Sequence, residues 1–199
     1  MKKHLTGAAF GLMVALSVAG CEKDQTPDVQ ATSIQPSSVQ ISVSVPPAPP
    51  QVNNGRNSVL FDPCFKIGDD TVSKIGYDPA TRKRNDFIFD NYSFIGCAFD
   101  RKGNVRGQML PVGSLAVSST NITLGEFRSR EGDKARTISV SGREAITYKD
   151  ASSETCTIVV AAADGVVNIQ KSSYAAFTTE RPCDRLEEIA AIVVSEVPN

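Results

Sequence analysis

The chain has 199 residues, 41% of them hydrophobic and 22% charged, with 21 Lys and Arg against 22 Asp and Glu. This is enough apolar material for one domain core, and a formal net charge of −1 at pH 7 gives no reason to expect nucleic acid as a partner. Five cysteines form an odd set, so if the chain is oxidised one sulfur has no partner within it.

The first twenty residues read MKKHLTGAAFGLMVALSVAG: Lys2, Lys3 and His4, then an uncharged apolar run from Leu5 to Leu16, then small residues. This is the layout of a secretory signal. The run is shorter than the roughly 20 residues that a spanning helix needs. No later segment is long and apolar enough, so no transmembrane helix is expected. Val18-Ala19-Gly20-Cys21 resembles the lipobox of bacterial lipoproteins. That resemblance implies cleavage after Gly20 and acylation of the Cys21 thiol, the strongest nucleophile among ordinary side chains near neutral pH. Anchoring would then rest on acyl chains, at about 0.8 kcal/mol per buried methylene. On this reading Cys21 is the odd sulfur, and residues 1–20 are expected to be a lipoprotein signal peptide. Losing Lys2 and Lys3 takes the basic residues from 21 to 19 against 22 acidic, a net charge of −3.

Residues 21–57 are rich in Ser, Thr, Gln and Pro and end in VPPAPPQVNNGRN. Few large apolar side chains occur there, so burial cannot offset the entropy of ordering. The segment is expected to be a disordered tether, stiffened by polyproline geometry near Val45 to Pro50. Gln40 to Val45 alternates like a strand, but proline closes it and no turn returns it to a partner. Residues 58–199 are then one folded domain.

Within that domain, Asp62 and Pro63 suit the N-cap and first position of a short helix, with Cys64 in its first turn. Asp69 would cap a second short turn ending at Gly76. The basic run Arg82-Lys83-Arg84 reads as a solvated loop. Phe94 to Phe99 reads as a strand with Ile95, Cys97 and Phe99 on one face. Ser114 to Ser118, Arg136 to Ser141 and Glu144 to Tyr148 alternate as further strands, and Thr123 to Arg130 would be a short helix or a loop. Thr155 to Ala161 is a strand with Cys156, Ile158 and Val160 on one face. The turn Ala163-Asp164-Gly165 leads to a hairpin partner from Val166 to Gln170. Pro182 opens a last helix with Cys183 in its first turn. Leu186, Ile189, Ala190, Val193 and Val197 form its buried stripe, and Glu187 and Glu188 face outward. The sum is an α+β fold: an antiparallel β-sheet with a short N-terminal helix and a C-terminal helix packed on it.

The remaining cysteines, Cys64, Cys97, Cys156 and Cys183, are an even set in an exported chain, which reads as disulfides. Four cysteines allow three pairings, and sequence alone does not choose among them. A Cys64–Cys97 bond would clip the first helix to a strand, and a Cys156–Cys183 bond would clip the last helix to the hairpin. Structural zinc usually shows close cysteine pairs and often histidine. The spacings here are 33, 59 and 27, so no metal and no other cofactor is expected.

Asp62-Pro63-Cys64, Gly76, Gly96-Cys97-Ala98-Phe99, Cys156 to Val160 and Cys183 with the helix to Pro198 together resemble a family of actinobacterial cell-envelope lipoproteins, the domain of unknown function numbered thirty-five fifty-eight. The resemblance covers about Leu60 to Pro198. The family often carries tryptophan two residues after its second cysteine, where this chain has Phe99. The resemblance implies a secreted, lipid-anchored protein of an actinobacterial host, and it implies no activity.

Once His4 leaves with the signal, no histidine remains for Ser-His-Asp or Cys-His catalysis. No Walker or dinucleotide glycine loop is present. The carboxylate pairs Asp69 and Asp70, or Asp86 and Asp90, are the remaining acid/base candidates. Asp69 is better explained as a cap, and the second pair as a solvated rim. Phe87, Phe89, Tyr92 and Phe94 place four aromatics in eight residues. Core packing is the default account; exposed, they would form a ligand or partner surface. The expectation is therefore a non-catalytic binding or accessory module on the extracytoplasmic face of the cell membrane. An envelope lipid, a glycan or a membrane protein would be its partner. An envelope enzyme using carboxylates and a sensor-like regulatory domain are the alternatives.

Overall fold

A computed structural model describes residues 39–149 and 154–198. Cys21, the signal segment and the first part of the expected tether lie outside the described residues. The helices are α1 (Pro63–Lys66), α2 (Asp69–Lys74), α3 (Leu124–Glu131) and α4 (Leu186–Val194). The strands are β1 (Asp78–Arg84), β2 (Phe87–Ile88), β3 (Ser93–Val105), β4 (Gln108–Thr120), β5 (Arg136–Val140), β6 (Arg143–Lys149), β7 (Thr155–Ala162) and β8 (Gly165–Ser173). They form one antiparallel sheet in the order β1-β3-β4-β8-β7-β6-β5, with β2 paired to β3. The expected α+β architecture is present.

Alternation sends Cys97 and Phe99 of β3, Leu115 and Val117 of β4, Cys156, Ile158 and Val160 of β7, and Val167 and Ile169 of β8 to one face, all buried. Helices α1, α2 and α4 supply the rest of this core through Cys64, Val72 and the stripe Leu186, Ile189, Ala190, Val193. Two disulfides, Cys64–Cys97 and Cys156–Cys183, fasten the helical layer to the sheet. Asp62 caps α1 with Pro63 at its first position. Gly76, at φ +89°, closes α2 in the left-handed region that its missing Cβ permits. A two-residue turn at Arg106 and Gly107, φ 52° and 86°, joins β3 to β4 and fixes their long register.

Several details differ from the sequence reading. The last helix begins at Leu186 rather than Pro182, because Arg185 adopts φ 59° at the N-cap. Cys183 thus lies in the turn before the helix. Lys171, only 1% exposed, holds that turn by donating to the Arg181 and Asp184 carbonyls while pairing with Glu180. Gly68, not Asp69, is the N-cap of α2. Arg82-Lys83-Arg84 is not a solvated loop but part of β1. Arg82 is buried over the Phe99 ring at 5.0 Å, pairs with Asp69 at 2.7 Å and donates to the Cys64 carbonyl at 3.0 Å.

The segment 39–57 carries no helix or strand, yet it is tied to the domain along its length. Asp69 N–H donates to the Gln40 carbonyl and Ser42 N–H to the Asp69 carboxylate. Val45 packs against the main core. Asn53 is buried and accepts from Ser93 Oγ at 2.7 Å, and Arg56 pairs with Glu126. Sequence placed the whole of 21–57 outside the fold because it lacks apolar content. Backbone and side-chain hydrogen bonds, which composition does not report, attach its second half.

Candidate functional site

The opposite face of the sheet is built from different residues. The same alternation that buries Val117 and Ile169 puts Ser118 of β4, and Asn168 and Gln170 of β8, on this second face. Helix α3 covers one end of it. Thr123 and Glu126 form a reciprocal capping box at its start. Leu124 and Phe127 join Ile122, Ile146, Val159 and Val166 in a small second core. Thr123 to Arg130 is therefore a helix, one of the two readings left open by the sequence.

The other side of this face is formed by the chain around β2, and Gly96 determines its path. A Cβ at Gly96 would lie 2.4 Å from the Asn85 carbonyl oxygen, so only glycine lets the backbone cross there. Asn85 N–H donates to the Gly96 carbonyl at 3.0 Å, and Gly96 N–H donates to Asp86 Oδ1 at 2.9 Å. Asp86 also pairs with Arg84, which reaches Asp62 at 2.8 Å. Asp86 is thus a staple at the crossing and not a solvated rim. The crossing delivers Phe87 opposite Phe94 on the strand ladder, so both rings share the second face.

Between α3 and β2 lies a groove of about 230 Å³. Its floor is Ser118, Asn168 and Gln170; its walls are Asn85, Phe87, Phe89 and Phe94 on one side, and Phe127, Arg130 and Tyr148 on the other. Phe87 and Phe89 are 54% and 46% exposed. Tyr92 and Phe94 are half-buried. Phe89 leans on Tyr92 with centroids 4.8 Å apart, and Tyr92 meets Phe94 edge-on at 6.0 Å. Of the four aromatics singled out in sequence, three line the groove and Tyr92 backs Phe89. Packing orders them, and exposure leaves two ring faces open.

Arg130 is the one charged residue in the lining. It lies over the Phe127 ring at 4.3 Å and donates to Glu131 at 2.8 Å. Burial works against its charge, but Glu131 and Tyr148 hold its pKa above the ordinary guanidinium value. Burial, with the nearby Glu131 charge, pushes the Tyr148 phenol up, so it stays a neutral hydroxyl. Asn168 is 6% exposed, and its Oδ1 has no donor. Groups of this kind recognise a ligand by stacking and by neutral hydrogen bonds.

The candidate carboxylates do not meet in this groove. Asp69 and Asp70 line a separate depression with Glu196. Burial disfavours the Asp69 charge there, yet Ser42 and Arg82 hold its carboxyl below the usual range. Asp90 is exposed, and its backbone carbonyl accepts from Asn54 N–H at 2.8 Å. A further, mainly apolar depression of about 180 Å³ lies among Leu60, Phe61, Ala162, Ala163, Val197 and Pro198. Among the described residues no cluster of three or more His, Cys, Asp or Glu could hold a metal ion, and no helix is long and apolar enough to cross a membrane.

Ser118, Asn168 and Gln170 escape sequence reasoning because polar residues alternating in a strand read as a plain solvated face. The one signal available was Gly96 inside a strand pattern, which marks a close backbone approach. Over residues 16–196 the chain matches the family described as Protein of unknown function (DUF3558), and it belongs to that family. No curated protein and no solved structure matches it.

Proposed function

Starting from membership of a family without an assigned activity, we propose that this chain is a lipid-anchored extracytoplasmic protein whose folded domain binds a component of the cell envelope without chemically changing it. The groove on the second sheet face is the binding site. The observation that carries this reading is the combination of two open phenylalanine faces with a buried, donorless Asn168 carbonyl at one spot. Its lining of amides, hydroxyls, aromatic rings and one ion-paired guanidinium suits recognition. The basic, apolar and small-residue run ending at Cys21 supports the anchor, and the paired cysteines agree with an oxidising compartment. An actinobacterial envelope is the setting this reading assigns.

Two measurements test it. Radiolabelled palmitate fed to a bacterial host should label the wild-type chain and leave Cys21→Ser unlabelled and released from the membrane fraction. Equal labelling of both would remove the anchor. Neutral envelope fragments incubated with the full chain should be recovered with unchanged mass. A mass change in the fragment, dependent on the protein, would make it an enzyme instead.

A further inference from the structure

We propose that the groove holds one ring of an uncharged saccharide, its C–H face against Phe87 or Phe89 and its hydroxyls bonded to Asn168 and Gln170. This rests on the binding-module reading above and names the ligand class for that site. A sugar ring is itself two-sided: its faces present C–H groups, and its edge presents hydroxyls that both donate and accept. The groove has the complementary division, aromatic walls above an amide and hydroxyl floor.

Charge narrows the choice. Arg130 is the lining's one charged group, and Glu131 already neutralises it. A phosphate or carboxylate would lose its hydration here and would have to compete with Glu131 for that guanidinium. An alkyl chain would cover Asn85, Ser118, Asn168 and Gln170 and leave them without hydrogen-bond partners. A peptide adding as a strand needs an open edge; the floor strands β4 and β8 are paired on both sides, and β2 in the wall, paired to β3 alone, is only 2 residues long. Size agrees: about 230 Å³ lies below the roughly 300 Å³ at which pockets for drug-sized ligands begin, leaving room for one ring. Asn168 Oδ1 is shielded within the floor and has no donor, and a sugar hydroxyl supplies one once the side chain turns toward the groove.

The test uses the isotope-labelled full chain in detergent micelles, titrated with maltotriose and with triacetylchitotriose. The side-chain amide signals of Asn168 and Gln170 and the ring signals of Phe87 and Phe89 are followed. At least one sugar should move them saturably at millimolar concentration. Phe89→Ala should weaken binding about tenfold, the effect of losing one stacking contact. Asn168→Leu should abolish binding and leave the unfolding midpoint equal or higher, since its carbonyl has no bond to lose. Decanoate and adenosine are titrated alongside. If either moves the same signals while both sugars fail, the saccharide assignment is wrong and the binding-module reading stands. If no probe moves them, both fall. A lowered midpoint for Asn168→Leu would make that side chain structural and overturn its role as a sugar acceptor.

Discussion

The two faces of one sheet are built to opposite rules. The first is apolar, lies under three helices and is fastened by both disulfides. The second has a small apolar cluster under one helix at one end and polar residues beyond it, with two phenylalanines half open to solvent. The same strands supply both faces, so strand pairing cannot account for the difference. What differs is covalent and apolar investment: the first face secures the fold, which leaves the second face free to carry groups that contribute little to stability. A rigid platform under a polar groove is the arrangement that recognition requires.

The largest effect should come from the heart of the first face. Phe99 is fully buried beneath the Arg82 guanidinium. Phe99→Ala should lower unfolding free energy by about 3–5 kcal/mol, read from urea denaturation midpoints. A loss below 1 kcal/mol would mean that this face does not dominate stability. Next come the disulfides. Replacing either pair by alanines reopens a loop of 33 or 27 residues. Each change should cost about 3–4 kcal/mol in the chain-entropy account. Urea titration of the Cys64→Ala/Cys97→Ala and Cys156→Ala/Cys183→Ala variants checks both. Full retention of stability by either would show that its clip adds nothing to the packing.

The apolar part of the first face was legible in the sequence; its buried arginine and most of the second face were not. Apolar periodicity reports burial by the hydrophobic effect, so Ile95-Cys97-Phe99 and the stripe of the last helix were visible. Burial through ion pairs leaves no such pattern. Arg82 and Arg84 look like a solvated run, yet Asp69, Asp62 and Asp86 draw them into β1. The four aromatics were recognisable as a cluster, but their orientation depends on a backbone crossing at Gly96. The groove floor comes from positions about fifty residues apart, Ser118 against Asn168 and Gln170, which only the β4–β8 pairing brings together.

At the covered end of the second face, the cap of α3 should matter less than either disulfide. Thr123→Ala breaks the capping box and should cost about 1 kcal/mol. The hydrogen bonds from Arg56 and then from Thr123 lower the Glu126 pKa to about 2. A depressed carboxylate stabilises the fold above its unfolded pKa, so this contribution is intact at neutral pH. It fades as the pH falls from the usual value of about 4.5 toward 2. Because the Glu126 side chain is 43% exposed, solvent screening keeps the contribution small. Glu126→Gln should flatten that limb of the stability–pH curve and leave the limb above pH 6 unchanged in slope. A wild-type limb that survives the substitution would assign the acid sensitivity to another group.

The smallest effect should come from the open rim, and it decides between the two descriptions of the aromatic cluster. If Phe87 were core, Phe87→Ala would cost as much as a large-to-small change elsewhere in the sheet. Its ring is instead 54% exposed, and its wall is held by the Asn85–Gly96 crossing and the Asp86 carboxylate, neither of which uses the Phe87 side chain. Truncation should therefore shift stability by no more than about 0.5 kcal/mol, measured beside Phe99→Ala under the same conditions. Two phenylalanines of one sheet would then differ several-fold in their cost of removal. A loss of 2 kcal/mol or more at Phe87 would place its ring in the fold's support and close the rim as a site of recognition.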